Sequence, residues 1–83
     1  MSLDEIKQTK NKVVGLKETS RAIENQQAKK VFVAEEADDK VKIPLQEKCQ
    51  EHQVEIEFVS SMKDLGKAAG IQVKAAAACI LNE

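Results

Sequence analysis

The chain has 83 residues, a net charge of −1 and 33% charged residues. That is room for one small domain with a limited core, which argues against a deep catalytic cleft and against a nucleic-acid surface built on bulk positive charge. With no Trp, no Tyr and only two Phe, base-stacking platforms of aromatic rings are nearly excluded as well.

Ser2-Leu3-Asp4-Glu5 reads as a capping box, with Ser2 at the N-cap and Glu5 three residues on. The first helix is predicted to end near Asn11, ahead of a short β-branched stretch, Lys12-Val13-Val14, that runs into Gly15. A second helix is predicted from about Lys17 to Gln26, with Thr19, Ala22, Ile23 and Gln26 on its packing side. Val31-Phe32-Val33-Ala34 is a continuous apolar run, the pattern of a strand covered on both faces. An acidic loop from Glu35 to Lys40 follows, and Pro44 is expected to open the next helix at its first position. Leu45, Lys48, Cys49 and His52 share one stripe of that helix. Val54, Ile56 and Phe58 alternate with Glu55 and Glu57, as in a half-exposed strand. Ser61 is the expected cap of a fourth helix whose apolar side is Met62, Leu65, Ala68 and Ala69, with Gly70 as its stop.

The stretch from Ala75 to Leu81 is contested. Alanine favours helix, but only about ten residues remain and none gives a polar face. A buried strand of small residues, which lets helices approach the sheet closely, is the reading adopted. The resulting order of α, short β, α, β, α, β, α, β predicts one α/β domain over residues 1–83: a three-layer α/β/α sandwich around a four-stranded mixed sheet. Cys49 and Cys79 have no close spacing, and His52 has no partner at metal-ligand spacing. Two reduced, buried thiols in a soluble cytoplasmic protein are expected, with a disulfide or metal pair as the weaker alternative. Nothing resembles a signal peptide or a bilayer-spanning run.

The second helix carries an electrostatic oddity. Lys17, Glu18 and Arg21 fall at roughly 0°, 100° and 40° around its axis, opposite a packing side centred near about 190°. A helix N-terminus bears partial positive charge, so cations there are unfavourable, and Lys17 and Arg21 also repel at i,i+4. An ordinary solvated charged face is one reading. In the other, an anion docks at the helix start and reverses the sign. A carboxylate between two cations suits a ligand that offers a donor as well as acceptors. Base edges do so: guanine presents acceptors to Lys and Arg, and an exocyclic amine donates to Glu.

Together "VVGLKETSRAIE", "VFVAEEADD" and "SSMKDLGKAAGIQV" resemble the kink-turn-binding ribosomal protein family, the L-seven-Ae/L-thirty-e group, most of all its short bacterial YbxF-type members. The resemblance covers nearly the whole chain; "LGKAAGI" is its most specific piece and the stretch from Gly15 to Arg21 its functional one. It implies a single α/β/α domain whose helix N-terminus enters the widened major groove of a kinked RNA internal loop, beside tandem sheared G·A pairs. By that resemblance Lys17, Glu18 and Arg21 read the guanines, and Gly15 lets the backbone approach the RNA. Ile71 and Val73 take the places of apolar loop residues that cover unpaired nucleotides. Asp38 matches an acidic residue near an extruded nucleotide, and Lys67 is placed to meet phosphate. Each has a plainer reading beside it: strand start for Ile71 and Val73, turn or cap for Asp38. Lys29 and Lys30 are read as solvated, with phosphate contact as the alternative.

Three positions depart from the family pattern. Lys17 stands where Asn is common, exchanging an amide for a point charge and a steeper salt dependence. Asp39 replaces a common Pro, and Met62 a common Lys. The expected function is non-catalytic RNA binding to kink-turns by a monomer, on the ribosome or on a structured regulatory RNA, with no cofactor, no metal and no membrane. A protein–protein adaptor on the same fold is the alternative. No nucleophile–base pair or phosphate-cradling glycine loop supports an enzyme.

Overall fold

In the computed structural model, residues 2–82 are described, with the backbone alone at Ser2. The first helix starts at Ser2, which is therefore its first residue rather than its cap, and the Glu5 carboxylate turns to Lys30 (2.6 Å) instead of back to the helix start; the side chain of Ser2 lies outside the described residues. Eight elements alternate in chain order: α1 (Ser2–Gln8), β1 (Lys12–Val14), α2 (Leu16–Glu24), β2 (Ala28–Ala34), α3 (Asp39–His52), β3 (Glu55–Val59), α4 (Met62–Ala68) and β4 (Ala77–Leu81). The strands form one sheet in the order β1-β4-β2-β3. β4 runs antiparallel to both neighbours, whereas β2 and β3 are parallel, so the sheet is mixed.

Alternation along the strands divides the core into two layers. Phe32, Ala34, Ala78 and Ile80 face α1 and α4, packing with Ile6, Leu65, Ala68 and Ala69. Val31, Val33, Ala77 and Cys79 face α2 and α3, packing with Ala22, Ile23, Leu45 and Cys49. β2 is buried on both faces, and the alanine-rich tail is the central strand β4. The small side chains of β4 keep both helical layers close to the sheet. Burial against two layers thus overrides alanine's helical preference.

Several boundaries differ from expectation, each for a local reason. α1 stops at Gln8 because Thr9 Oγ1 donates to the Glu5 carbonyl (2.7 Å) and Lys12 Nζ to the Thr9 carbonyl (2.6 Å), closing its C-terminal end. α2 ends at Glu24, and Gln26 is not on its packing side: it is exposed, with φ 60°, beyond the helix end. Its N–H meets the Ile23 carbonyl and that of Gln27 the Ala22 carbonyl. α3 repeats this C-terminal pattern at Gln53 (φ 60°), and α4 at Gly70. α3 begins at Asp39, inside the expected acidic loop, so Pro44 lies within the helix rather than at its start. The Asp38 carbonyl already accepts from Val41 and Lys42 N–H, and Asp39 in the first turn complements the helix dipole. Pro44 removes only the bond to the carbonyl of Lys40, an exposed residue.

Ser61 caps α4 as expected, its Oγ accepting from Asp64 N–H at 3.0 Å. On the edge strand β3, Ile56 packs inward and Phe58 stays 36% exposed. Lys30 is neither solvated nor free for phosphate. It is buried beside Phe32, where Glu5 (2.6 Å), Glu57 (2.9 Å) and Glu55 (3.4 Å) surround its ammonium. Those carboxylates, Glu5 hydrogen-bonding most strongly, hold its pKa well above the usual lysine range against the opposing effect of burial.

Candidate nucleic-acid interface

The topology decides where the helices begin. β1 and β2 both oppose β4 and β3 parallels β2, so β1, β2 and β3 point the same way. Each is followed by a helix. The N-termini of α2, α3 and α4 therefore open at one end of the sheet, where their partial positive charges add. Backbone bonds tie this end together: Gly15 N–H to Ala77 C=O (2.8 Å), Ala34 N–H to Ala76 C=O (2.9 Å) and Glu35 N–H to Val59 C=O (2.7 Å).

Gly15 turns the chain from β1 into α2 with φ 107° and ψ 156°, a conformation essentially reserved for glycine. A Cβ there would meet nothing within 4 Å, so the surface above it is open. The first helical bond is Thr19 N–H to Gly15 C=O (3.0 Å), which leaves the N–H groups of Leu16, Lys17 and Glu18 without an acceptor in the helix. Thr19, Ala22 and Ile23 are buried. Their burial turns Lys17, Glu18 and Arg21 outward, where all three are exposed. Glu18 and Arg21 lie at 3.5 Å, a loose i,i+3 pair more than half exposed on both sides, which binds neither side chain firmly. Nothing in the structure explains the Thr19 hydroxyl, buried without a hydrogen-bond partner among the described residues.

The second group lies on α4 and the loop after it. Lys63, Lys67, Ile71, Gln72, Val73 and Lys74 line an open groove of about 810 Å³. Ile71 packs partly on the core, while Val73 is 70% exposed. Neither belongs to β4, which begins at Ala77. Asp38 occupies the N-cap position of α3 with extended backbone, yet its carboxylate makes no capping hydrogen bond. The eight sequence-predicted residues thus fall into the α2 start (Gly15, Lys17, Glu18, Arg21), the groove (Lys67, Ile71, Val73) and Asp38 at the α3 start.

Lys63, beside the departure at Met62, and Lys74, at the end of the 71–74 loop, also line the groove although the sequence assigned them no contact, and Leu16, 40% exposed at the first position of α2, was not singled out at all. The i,i+4 spacing of Lys63 and Lys67 was a usable signal; Lys74 had none. Met62 does not line the groove. Its side chain packs on the core and its N–H donates to Glu36 Oε1 at 2.6 Å. Among the described residues no cluster of His, Cys, Asp or Glu could hold a metal ion, and no helix is long and apolar enough to cross a membrane.

Fold and surface together define a small α/β/α sandwich with three helix starts and a lysine-lined groove at one end. Residues 2–83 match the ribosomal protein L7Ae/L30e/S12e/Gadd45 family. The chain belongs to that family. It is 43% identical over 86 residues to the RNA-binding protein YbxF of Geobacillus stearothermophilus, covering 99% of this chain and all of that one. It is 40% identical over 81 residues to an RNA-binding protein of Bacillus pumilus, covering 98% and 99% of the two. Among solved structures, the Giardia lamblia 15.5kD RNA binding protein superposes with a TM-score of 0.81 at 23% identity, over 98% of this chain and 68% of that one. A Bacillus halodurans protein of unknown function gives 0.84 at 21% identity, over 96% and 80%. Likeness at that level of identity speaks for the fold alone.

Proposed function

We propose that residues 1–83 form a single non-catalytic domain that recognises kink-turn RNA through the start of α2. The observation that carries this reading is the exposed Lys17-Glu18-Arg21 set above backbone N–H groups that have no acceptor in the helix. The whole-length relatives named as RNA-binding proteins support the choice of ligand.

In this reading the α2 N–H groups and dipole attract the backbone, while Lys17 and Arg21 donate to guanine acceptors. Glu18 leaves its loose pair with Arg21 and accepts from an exocyclic amine. The groove lysines add phosphate contacts, and Ile71 and Val73 offer apolar surface to unpaired nucleotides. Every phosphate so neutralised steepens the salt dependence by about 0.7–0.9 in log–log slope. The protein acts in the cytoplasm as a monomer, on the ribosome or on a structured regulatory RNA.

Glu18→Ala separates base reading from charge attraction. Removing a negative charge strengthens purely electrostatic binding. Loss of a base contact instead weakens kink-turn binding by about 1–3 kcal/mol. Tighter binding by this variant in a gel-shift titration would show that Glu18 reads no base.

A further inference from the structure

The "LGKAAG" segment holds a glycine that no RNA contact accounts for. Gly66 sits inside α4 and is buried. Glycine weakens a helix interior, and α4 has only seven residues, so the position calls for a local reason. The loop supplies one. A Cβ on Gly66 would overlap the Val73 carbonyl oxygen outright, and would stand 3.2 Å from the Val73 carbonyl carbon and 3.3 Å from Ala75 N. Two hydrogen bonds hold the loop in that place: Ile71 N–H to Gly66 C=O (3.0 Å) and Ala75 N–H to Met62 C=O (3.0 Å). The backbone after Gly70 therefore doubles back along α4 and rests in a notch that only glycine leaves open.

That notch sets the shape of the groove. Lys63 and Lys67 come from α4, whereas Ile71, Gln72, Val73 and Lys74 come from the loop laid against it. Their spacing depends on how closely the loop approaches the helix, and at Gly66 the Val73 carbonyl lies where a side chain would otherwise stand.

We propose that Gly66 is a positioning residue for RNA binding: its missing side chain seats the 71–74 loop on α4 and so fixes the groove between the α4 and loop lysines. The inference rests on the RNA-binding reading above. Gly66 touches no RNA itself. It acts through Val73 and Lys74, so its effect on affinity vanishes when the groove is already out of register.

Gly66→Ala tests this. The variant keeps its circular dichroism spectrum at low temperature, and its amide shifts change at residues 71–75 while those of β2 and α3 stay in place. Its affinity for a kink-turn RNA falls about tenfold, the scale of losing a preorganised contact set. Lys74→Ala weakens the wild-type protein but costs nothing further in the Gly66→Ala background. Where Gly66→Ala does not fold, one glycine inserted between Val73 and Lys74 displaces the loop without filling the notch, with the same outcomes expected. A purely structural glycine lowers the melting temperature and leaves the folded variant binding as wild type, and that result overturns the proposal. Additive losses with Lys74→Ala overturn it too. Failure of the underlying reading looks different: the wild-type protein itself binds kink-turn and control RNA equally.

Discussion

Lys30 makes the sharpest stability prediction, because its surroundings can be counted. Its side chain is 11% exposed, with carboxylates of Glu5, Glu55 and Glu57 at 2.6, 3.4 and 2.9 Å and the Phe32 ring centroid at 5.3 Å. Lys30→Met keeps the aliphatic stem and removes the charge. The three carboxylates are 51%, 69% and 37% exposed, so each pair is held to the surface scale of about 0.2–1 kcal/mol. Together they contribute about 2 kcal/mol, against about 4–12 kcal/mol expected in total for a chain this long. The melting temperature should fall by about 8–16 °C at pH 7, read by circular dichroism. Lys30 has a raised pKa, so its contribution is complete below the ordinary lysine value of 10.5 and is lost only as pH climbs past its folded value. The difference between variant and wild type should therefore be flat from about pH 6 to 9. An unchanged or higher melting temperature for Lys30→Met would refute the reasoning, since it would mean that burying the ammonium costs more than its partners return.

Two further expectations follow from the same coordinates. Gln53 holds a left-handed conformation (φ 60°) at the end of α3, so Gln53→Gly should stabilise the protein by about 0.5–1 kcal/mol in a denaturant titration, and no gain would contradict that assignment. Burial pushes the Cys49 thiol up to about 11 and Cys79 up to about 12, with the neighbouring Cys49 adding to the rise at Cys79. Both should stay protonated at pH 8 and react with a thiol reagent only as fast as the protein opens; rapid labelling of the native state would be the opposite result.

The layered architecture was legible because each strand announces how it is buried. Val31 to Ala34 reads as covered on both faces, and it is the doubly buried part of β2. The β4 tail was legible only by weighing burial against propensity. Long-range partners were not legible. In sequence Glu5 reads as a capping-box acid and Glu55 and Glu57 as solvent-facing ones, and only the parallel register of β2 and β3 brings the latter two to Lys30. Pro44 misled because proline is favoured at a first helical turn, yet Asp38 and Asp39 had already started the helix. On the candidate surface, the helical wheel predicted the outward Lys17, Glu18 and Arg21 from local spacing alone. Lys63 was within reach of the i,i+4 spacing on α4, Lys74 needed the folded loop, and the loop's seat on Gly66 is a contact that no periodicity encodes.

The central claim is recognition of base edges by a mixed-charge helix start. The most direct measurement is a calorimetric titration of the wild-type protein with a kink-turn RNA and with the same RNA carrying Watson–Crick pairs in place of its two G·A pairs, at matched salt. Loss of base contacts worth about 1–3 kcal/mol each predicts binding to the kink-turn at least about tenfold tighter than to the control. Equal affinity for the two RNAs would contradict the account and leave charge attraction alone.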